Sequence, residues 1–116
     1  MLEELLRSWD GEEVVVRFDR PTGTWMFVCI HSTARGPAGG GTRMKVYAEP
    51  AAALADAMRL AGAMTLKMAA VDMPFGGGKA VLAPPELLDG EARRGLLHRY
   101  AISWRRCAGR STPGPT

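Results

Sequence analysis

The sequence predicts an α/β domain: a mixed sheet covered by helices. Three observations carry that prediction. Apolar residues recur at helical spacing in three stretches, short apolar runs of strand length stand between them, and glycine-rich segments separate the two kinds of element. At 116 residues the chain fits one ordinary domain. With 47% apolar residues it can bury a core without disulfide or metal support.

The elements follow in order. Leu2, Leu5, Leu6 and Trp9 fall on one helical face, with Glu3, Glu4 and Arg7 between them, and Asp10-Gly11 ends this short amphipathic helix. Val14, Val16 and Phe18 alternate with Val15 and Arg17 in a strand. Arg20-Pro21-Thr22-Gly23 is a turn. Trp25 to Ile30 is apolar on both faces and reads as an interior strand, so residues 13–30 form a hairpin. Residues 32–42 contain Gly36, Pro37, Gly39, Gly40 and Gly41 and read as a loop; residues 43–47 read as a short strand. Pro50 opens a helix that runs to about Met68. Its only charges are Asp56, Arg59 and Lys67, so most of its surface is expected to be buried. Residues 71–78 read as a second glycine loop, residues 79–83 as a strand, and Pro84-Pro85 breaks it. Asp89 is placed to cap a last helix over 90–106, with Ala92, Leu96, Leu97, Tyr100, Ala101 and Trp104 on its apolar face and the arginines on the other.

Charge and cysteine usage narrow the class. The net charge is +3, but residues 91–110 hold six Arg against one Glu, while residues 1–90 are mildly acidic. Arginines spaced this way can track phosphates. Tyr100 and Trp104 lie on the apolar side, so no base-stacking platform accompanies them. A solvated helix exterior is the commoner explanation, and no nucleic-acid partner is expected. Cys29 and Cys107 stand far apart without a Cys-x-x-Cys or Cys/His cluster, which argues against a disulfide framework or zinc site. The N-terminus lacks a secretory pattern and no window is apolar enough to span a membrane, so a cytoplasmic protein is expected.

Two features bear on chemistry. The chain has three lysines, and Lys67 and Lys79 flank the second glycine run. Lysines held close together depress each other's pKa, and one brought near neutrality works as a general base while its neighbour stays charged to hold a carboxylate. The plain alternative is a pair of solubilising surface residues. The runs Gly39-Gly40-Gly41 and Gly76-Gly77-Gly78 let a ligand approach backbone, or are merely flexible turns. Neither is a phosphate motif. A P-loop needs Gly where Met73 stands and Ser or Thr where Ala80 stands, and G-x-G-x-x-G is absent. His31 and His98 have no Cys, Asp or Ser at useful spacing and read as structural or surface residues, and the seven methionines read as core filler rather than a metal site.

Three stretches then point to a family. Ile30-His-Ser-Thr-Ala-Arg-Gly-Pro-Ala-Gly-Gly-Gly-Thr-Arg-Met44, Ala55-Asp-Ala-Met-Arg-Leu-Ala-Gly-Ala-Met-Thr-Leu-Lys67 and Phe75-Gly-Gly-Gly-Lys-Ala-Val81, in this order and spacing, resemble the N-terminal substrate-binding and dimerisation domain of the glutamate/leucine/phenylalanine/valine dehydrogenases. The resemblance covers about residues 1–110, with residues 111–116 as a tail of another character. It implies reversible, NAD- or NADP-linked oxidative deamination of an L-amino acid to a 2-oxo acid, in a homo-oligomer. It implies that Lys67 binds the substrate α-carboxylate, that Lys79 is the general acid/base acting through a water, and that the backbone of Gly40 and Gly41 packs against the substrate. Relatives that use glutamate carry a lysine where this chain has Gly39, and the position of Met64 also lines the side-chain pocket, so an apolar substrate such as leucine, valine or phenylalanine is implied. Loss of a side chain at Gly39 is expected to enlarge that pocket toward bulky substrates.

The end of the sequence departs from the family. The family continues through a Gly-Arg-Tyr segment to a catalytic aspartate and then a dinucleotide-binding domain. Here Gly109-Arg110 is followed by Ser-Thr-Pro-Gly-Pro-Thr116 without an Asp. The expectation is a truncated chain that binds no cofactor and is inactive alone; a frameshift near residue 104 or 110 is one origin of such an end, and a natural truncation is another. The alternatives are a non-catalytic oligomerisation module and, behind it, a basic nucleic-acid binder.

Overall fold

The computed structural model describes the backbone of residues 2–111 and the side chains of residues 2–102. The expectations for Trp104, Arg105, Arg106, Cys107, Arg110 and residues 112–116 lie outside the described residues. The element order is α1 (Leu2–Ser8), β1 (Glu13–Asp19), β2 (Thr24–Ser32), β3 (Ala38–Gly39), β4 (Thr42–Met44), α2 (Pro50–Ala70), β5 (Gly76–Ala83) and α3 (Gly90–Ser111).

The strands form one mixed sheet in the order β1-β2-β5-β3. β1, β2 and β5 are antiparallel neighbours, while β3 and then β4 lie parallel along the far side of β5. The β1–β2 turn is tight because Gly23 adopts φ +70 and donates its N–H to the Asp19 carbonyl at 2.8 Å.

Strand alternation sends the two faces of the sheet to different helices. Phe27, Cys29, Val81 and Ala83 meet Ala53, Leu54, Ala57, Met58 and Ala61 of α2, with Leu5 and Trp9 packed at the margin. Met26 and Leu82 meet Leu96 of α3, and Tyr100 closes over Val28, Ile30 and Ala80. The result is three layers, with α1 on the α2 side, tethered where Trp9 Nε1–H donates to the Met58 carbonyl at 3.0 Å. Among the described residues no helix is long and apolar enough to cross a membrane.

Several sequence expectations are corrected. Both glycine runs contribute strand: Gly39 belongs to β3, and Gly76, Gly77 and Gly78 are the buried first half of β5. The cause is close packing of main chain on main chain. A Cβ on Gly76 would stand 1.7 Å from the Ser32 carbonyl oxygen, and one on Gly77 would stand 2.2 Å from Thr65 N. The strand after the first run covers Thr42–Met44, not 43–47. α2 is buried along one stripe only: past Ala61 its exterior opens, and Leu66 is 73% exposed. α3 runs five residues beyond 106, and the expected apolar face is rotated. Leu96 is fully buried, whereas Ala92, Leu97 and Ala101 are exposed and Arg99 points inward.

Candidate functional site

The C-terminal half of α2 and the glycine half of β5 meet at one end of the sheet. Thr65 seats against Gly77, and the absence of a Cβ there lets the helix press onto the strand. Alternation along β5 then puts Lys79 on the same face as Val81, toward α2, where it is half-buried. The residues just before β4 cross above it. A methyl group on Gly41 would lie 3.5 Å from Lys79 Nζ, and one on Gly40 would lie 3.5 Å from Met64 Cγ. The structure therefore brings Lys79, Met64, Gly40 and Gly41 together. Lys67 stands in the last turn of α2, exposed, three residues from Met64 and so on the same side of the helix.

The glycines hold that geometry. A Cβ on Gly40 would fall 1.8 Å from the Gly78 carbonyl oxygen, so only glycine fits. The Gly41 carbonyl accepts from Ala80 N–H at 3.3 Å, and Pro37 O accepts from Gly76 N–H at 3.0 Å. Three further ties fix the segment. Thr42 and Tyr100 share a 2.5 Å hydroxyl bond, Arg43 reaches Asp56 at 3.1 Å, and Arg35 clasps Asp72 and the Met73 carbonyl at 3.0 and 3.3 Å. Asp56 is shielded and also takes bonds from Tyr47 and Arg59. Burial opposes its charge, yet these bonds keep its carboxyl below the usual range.

Charge compensation is uneven across the domain. Arg35, Arg43, Arg59 and Arg99 all reach carboxylates. Among the described residues neither the Lys67 nor the Lys79 side chain has a hydrogen-bond or ion-pair partner. At this corner the Lys79 ammonium beside the exposed Gly41 backbone offers a seat to an anion, and Lys67 stands on the Met64 side of the same helix end.

Sequence reading missed several neighbours of this corner. Met68 and Phe75 flank Gly39, and the signal for Met68 was its position one turn after Met64. His31 does have an aspartate partner, in space rather than in sequence. Its Nε2 meets Asp10 Oδ1 at 2.7 Å and its Nδ1 meets Thr65 Oγ1 at 2.8 Å, linking the chain after α1 to the helix that seats on Gly77. His98 is exposed on α3. Cys29, the register partner of Lys79, is fully buried, and burial pushes its thiol up to about 12, which leaves it inert.

The same fold and motifs occur in known proteins. Residues 13–113 match the family described as "Glu/Leu/Phe/Val dehydrogenase, dimerisation domain". The chain belongs to this family. The dimerisation domain is 43% identical over 98 residues to a leucine dehydrogenase of Bacillus cereus, covering 84% of this chain and 27% of the relative. It is 45% identical over 106 residues to a valine dehydrogenase of Streptomyces albus, covering 89% of this chain and 29% of the relative. The chain thus spans less than a third of the length of these relatives. Among solved structures, an L-tryptophan dehydrogenase from Nostoc punctiforme superposes with a TM-score of 0.74 at 33% identity, over 90% of this chain and 31% of that one.

The second glycine run is a poor fit to a pyrophosphate: Gly76 is pressed against the Ser32 carbonyl and Gly77 against Thr65.

Proposed function

We propose that this domain binds the amino-acid substrate of an NAD(P)-dependent dehydrogenase of apolar L-amino acids, which interconverts the amino acid and its 2-oxo acid. Lys67 clamps the α-carboxylate. Lys79 holds and returns a proton at the α-carbon end through a water. The backbone of Gly40 and Gly41 packs along the substrate, and Gly39 and Met64 border its side chain. The observation that carries this reading is the Lys79 ammonium set against Gly41, with Lys67 in the last turn of the helix that sets Met64 against Gly40. Gly39 and Met64 offer no cation to a second carboxylate, which favours an apolar side chain over glutamate. NAD or NADP is the cofactor of the full-length family enzyme, and a polypeptide of these 116 residues alone is not expected to transfer hydride. The expected location is the cytoplasm, and no nucleic acid or membrane partner is assigned.

Titration of the folded chain with 4-methyl-2-oxopentanoate and with 2-oxoglutarate separates the substrate classes. Tighter binding of the apolar 2-oxo acid supports the reading; preference for 2-oxoglutarate refutes it.

Self-association is the second part of the proposal. β1 is an edge strand of the sheet, and its α2-side face leaves Val16 47% and Phe18 42% exposed. An apolar groove of about 240 Å³ runs beside it between Leu2, Val16, Trp25 and Leu54. An open edge with an apolar flank is a natural surface for a second copy. The same surface would serve a purely oligomerising, non-catalytic module.

A further inference from the structure

Gly39 and Gly40 are adjacent, but the space beyond them differs. A methyl group on Gly40 would strike the fixed carbonyl of Gly78. A methyl group on Gly39 would stand 3.2 Å from Met68 Cε and 3.9 Å from Phe75 Cβ. The room left by the missing side chain at 39 is therefore not open: the end of a thioether chain reaches into it. Met68 is half-buried, unbranched and free to turn about several bonds, so it can leave that position at small cost. Met64 lies one helical turn earlier on the same side of α2, beside Gly40.

We propose that Met68, backed by Phe75, is a movable wall of the substrate side-chain pocket, and that its methyl group, rather than the residue at position 39, limits the size of side chain accepted. This inference rests on the reading of the lysine corner as a 2-oxo-acid site. It goes beyond that reading by naming the residue that sets substrate size. A branched four-carbon side chain is accommodated with Met68 in its seat. A benzyl side chain requires the thioether to swing out toward the surface, where Met73 and Phe75 are already partly exposed.

The test compares affinities of 4-methyl-2-oxopentanoate and phenylpyruvate for the full chain, for Met68→Ala and for Lys67→Ala. Met68→Ala is expected to move the affinity ratio toward phenylpyruvate by about tenfold, the discrimination that one or two methylene groups supply in an apolar pocket. A ratio unchanged in Met68→Ala, with binding that still depends on Lys67, overturns the inference and leaves the site reading standing. Wild-type binding that is indifferent to Lys67→Ala overturns the site reading and the inference with it. A measurement without ligand stands beside these. In methyl-labelled protein, Gly39→Ala is expected to displace the Met68 methyl resonance, and an unmoved resonance contradicts the proposed seat.

Discussion

Asp19, at the end of β1, and Arg99, in the middle of α3, form a two-point ion pair, with Nε–Oδ1 at 2.5 Å and Nη2–Oδ2 at 2.9 Å. The aspartate side chain is 3% exposed and also accepts from Thr22 Oγ1 at 2.6 Å. The pair pins the far end of the hairpin to the helix layer. It also explains why α3 lies with Arg99 inward and Leu97 outward: a buried carboxylate demands a partner more strongly than a leucine demands cover.

The first prediction concerns pH. The Arg99 bond, together with Thr22, holds the Asp19 carboxyl below its ordinary value despite burial. A depressed native pKa gives stability that is complete above the unfolded value and is lost as pH falls through the native one. Asp19→Asn is expected to lower the melting temperature at neutral pH and to flatten the loss of stability on the acid side. Parallel acid limbs in wild type and variant, followed by circular dichroism, would show that the pair contributes nothing.

The α3 interface gives a second. Leu96 is fully buried between Met26 and Leu82. Leu96→Ala is expected to cost about 2–5 kcal/mol in urea unfolding. Leu97, 36% exposed, is expected to cost less than about 1 kcal/mol when truncated. Equal costs would restore the helix face that the sequence pattern indicates.

A third uses the glycines. Gly77→Ala forces a methyl group onto Thr65 N and is expected to destabilise by at least about 1–3 kcal/mol. Gly41→Ala meets only the end of Lys79 at 3.5 Å, so the fold is expected to survive while 2-oxo-acid binding weakens. Retained affinity in Gly41→Ala would remove that backbone from the site.

The edge strand gives a fourth. Val16→Glu places a charge in the middle of the exposed apolar strip of β1. Sedimentation is expected to show a smaller species than wild type at the same concentration, with unchanged circular dichroism. An unchanged sedimentation coefficient would move the self-association surface elsewhere.

Much of this architecture was legible in the sequence, for identifiable reasons. The Trp25 to Ile30 run has no polar face, so only an interior strand accommodates it, and Pro50 marks the start of α2 where a missing N–H is harmless. The glycine strands were not legible. Glycine is unfavourable in strands locally, and what requires it at 76 and 77 is contact with Ser32 and Thr65, far away in the chain. Arg99 was misplaced because helical periodicity sorts residues by polarity and is blind to a buried partner 80 positions away. In the candidate site, motif context singles out the two lysines and Met64 in the sequence, helical spacing from Met64 points to Met68, and the Asp10–His31–Thr65 link emerges only from packing.

The role of the lysine pair is open to one direct measurement: calorimetric titration of 4-methyl-2-oxopentanoate into the wild-type chain, Lys67→Ala and Lys79→Ala, each with its fold checked by circular dichroism. The expected result is binding that falls at least about tenfold in Lys67→Ala, the loss of a charge-assisted carboxylate contact worth about 1.4 kcal/mol or more, and a smaller loss in Lys79→Ala, whose task is proton transfer. Equal binding by wild type and Lys67→Ala would contradict the assignment of this corner as the carboxylate site.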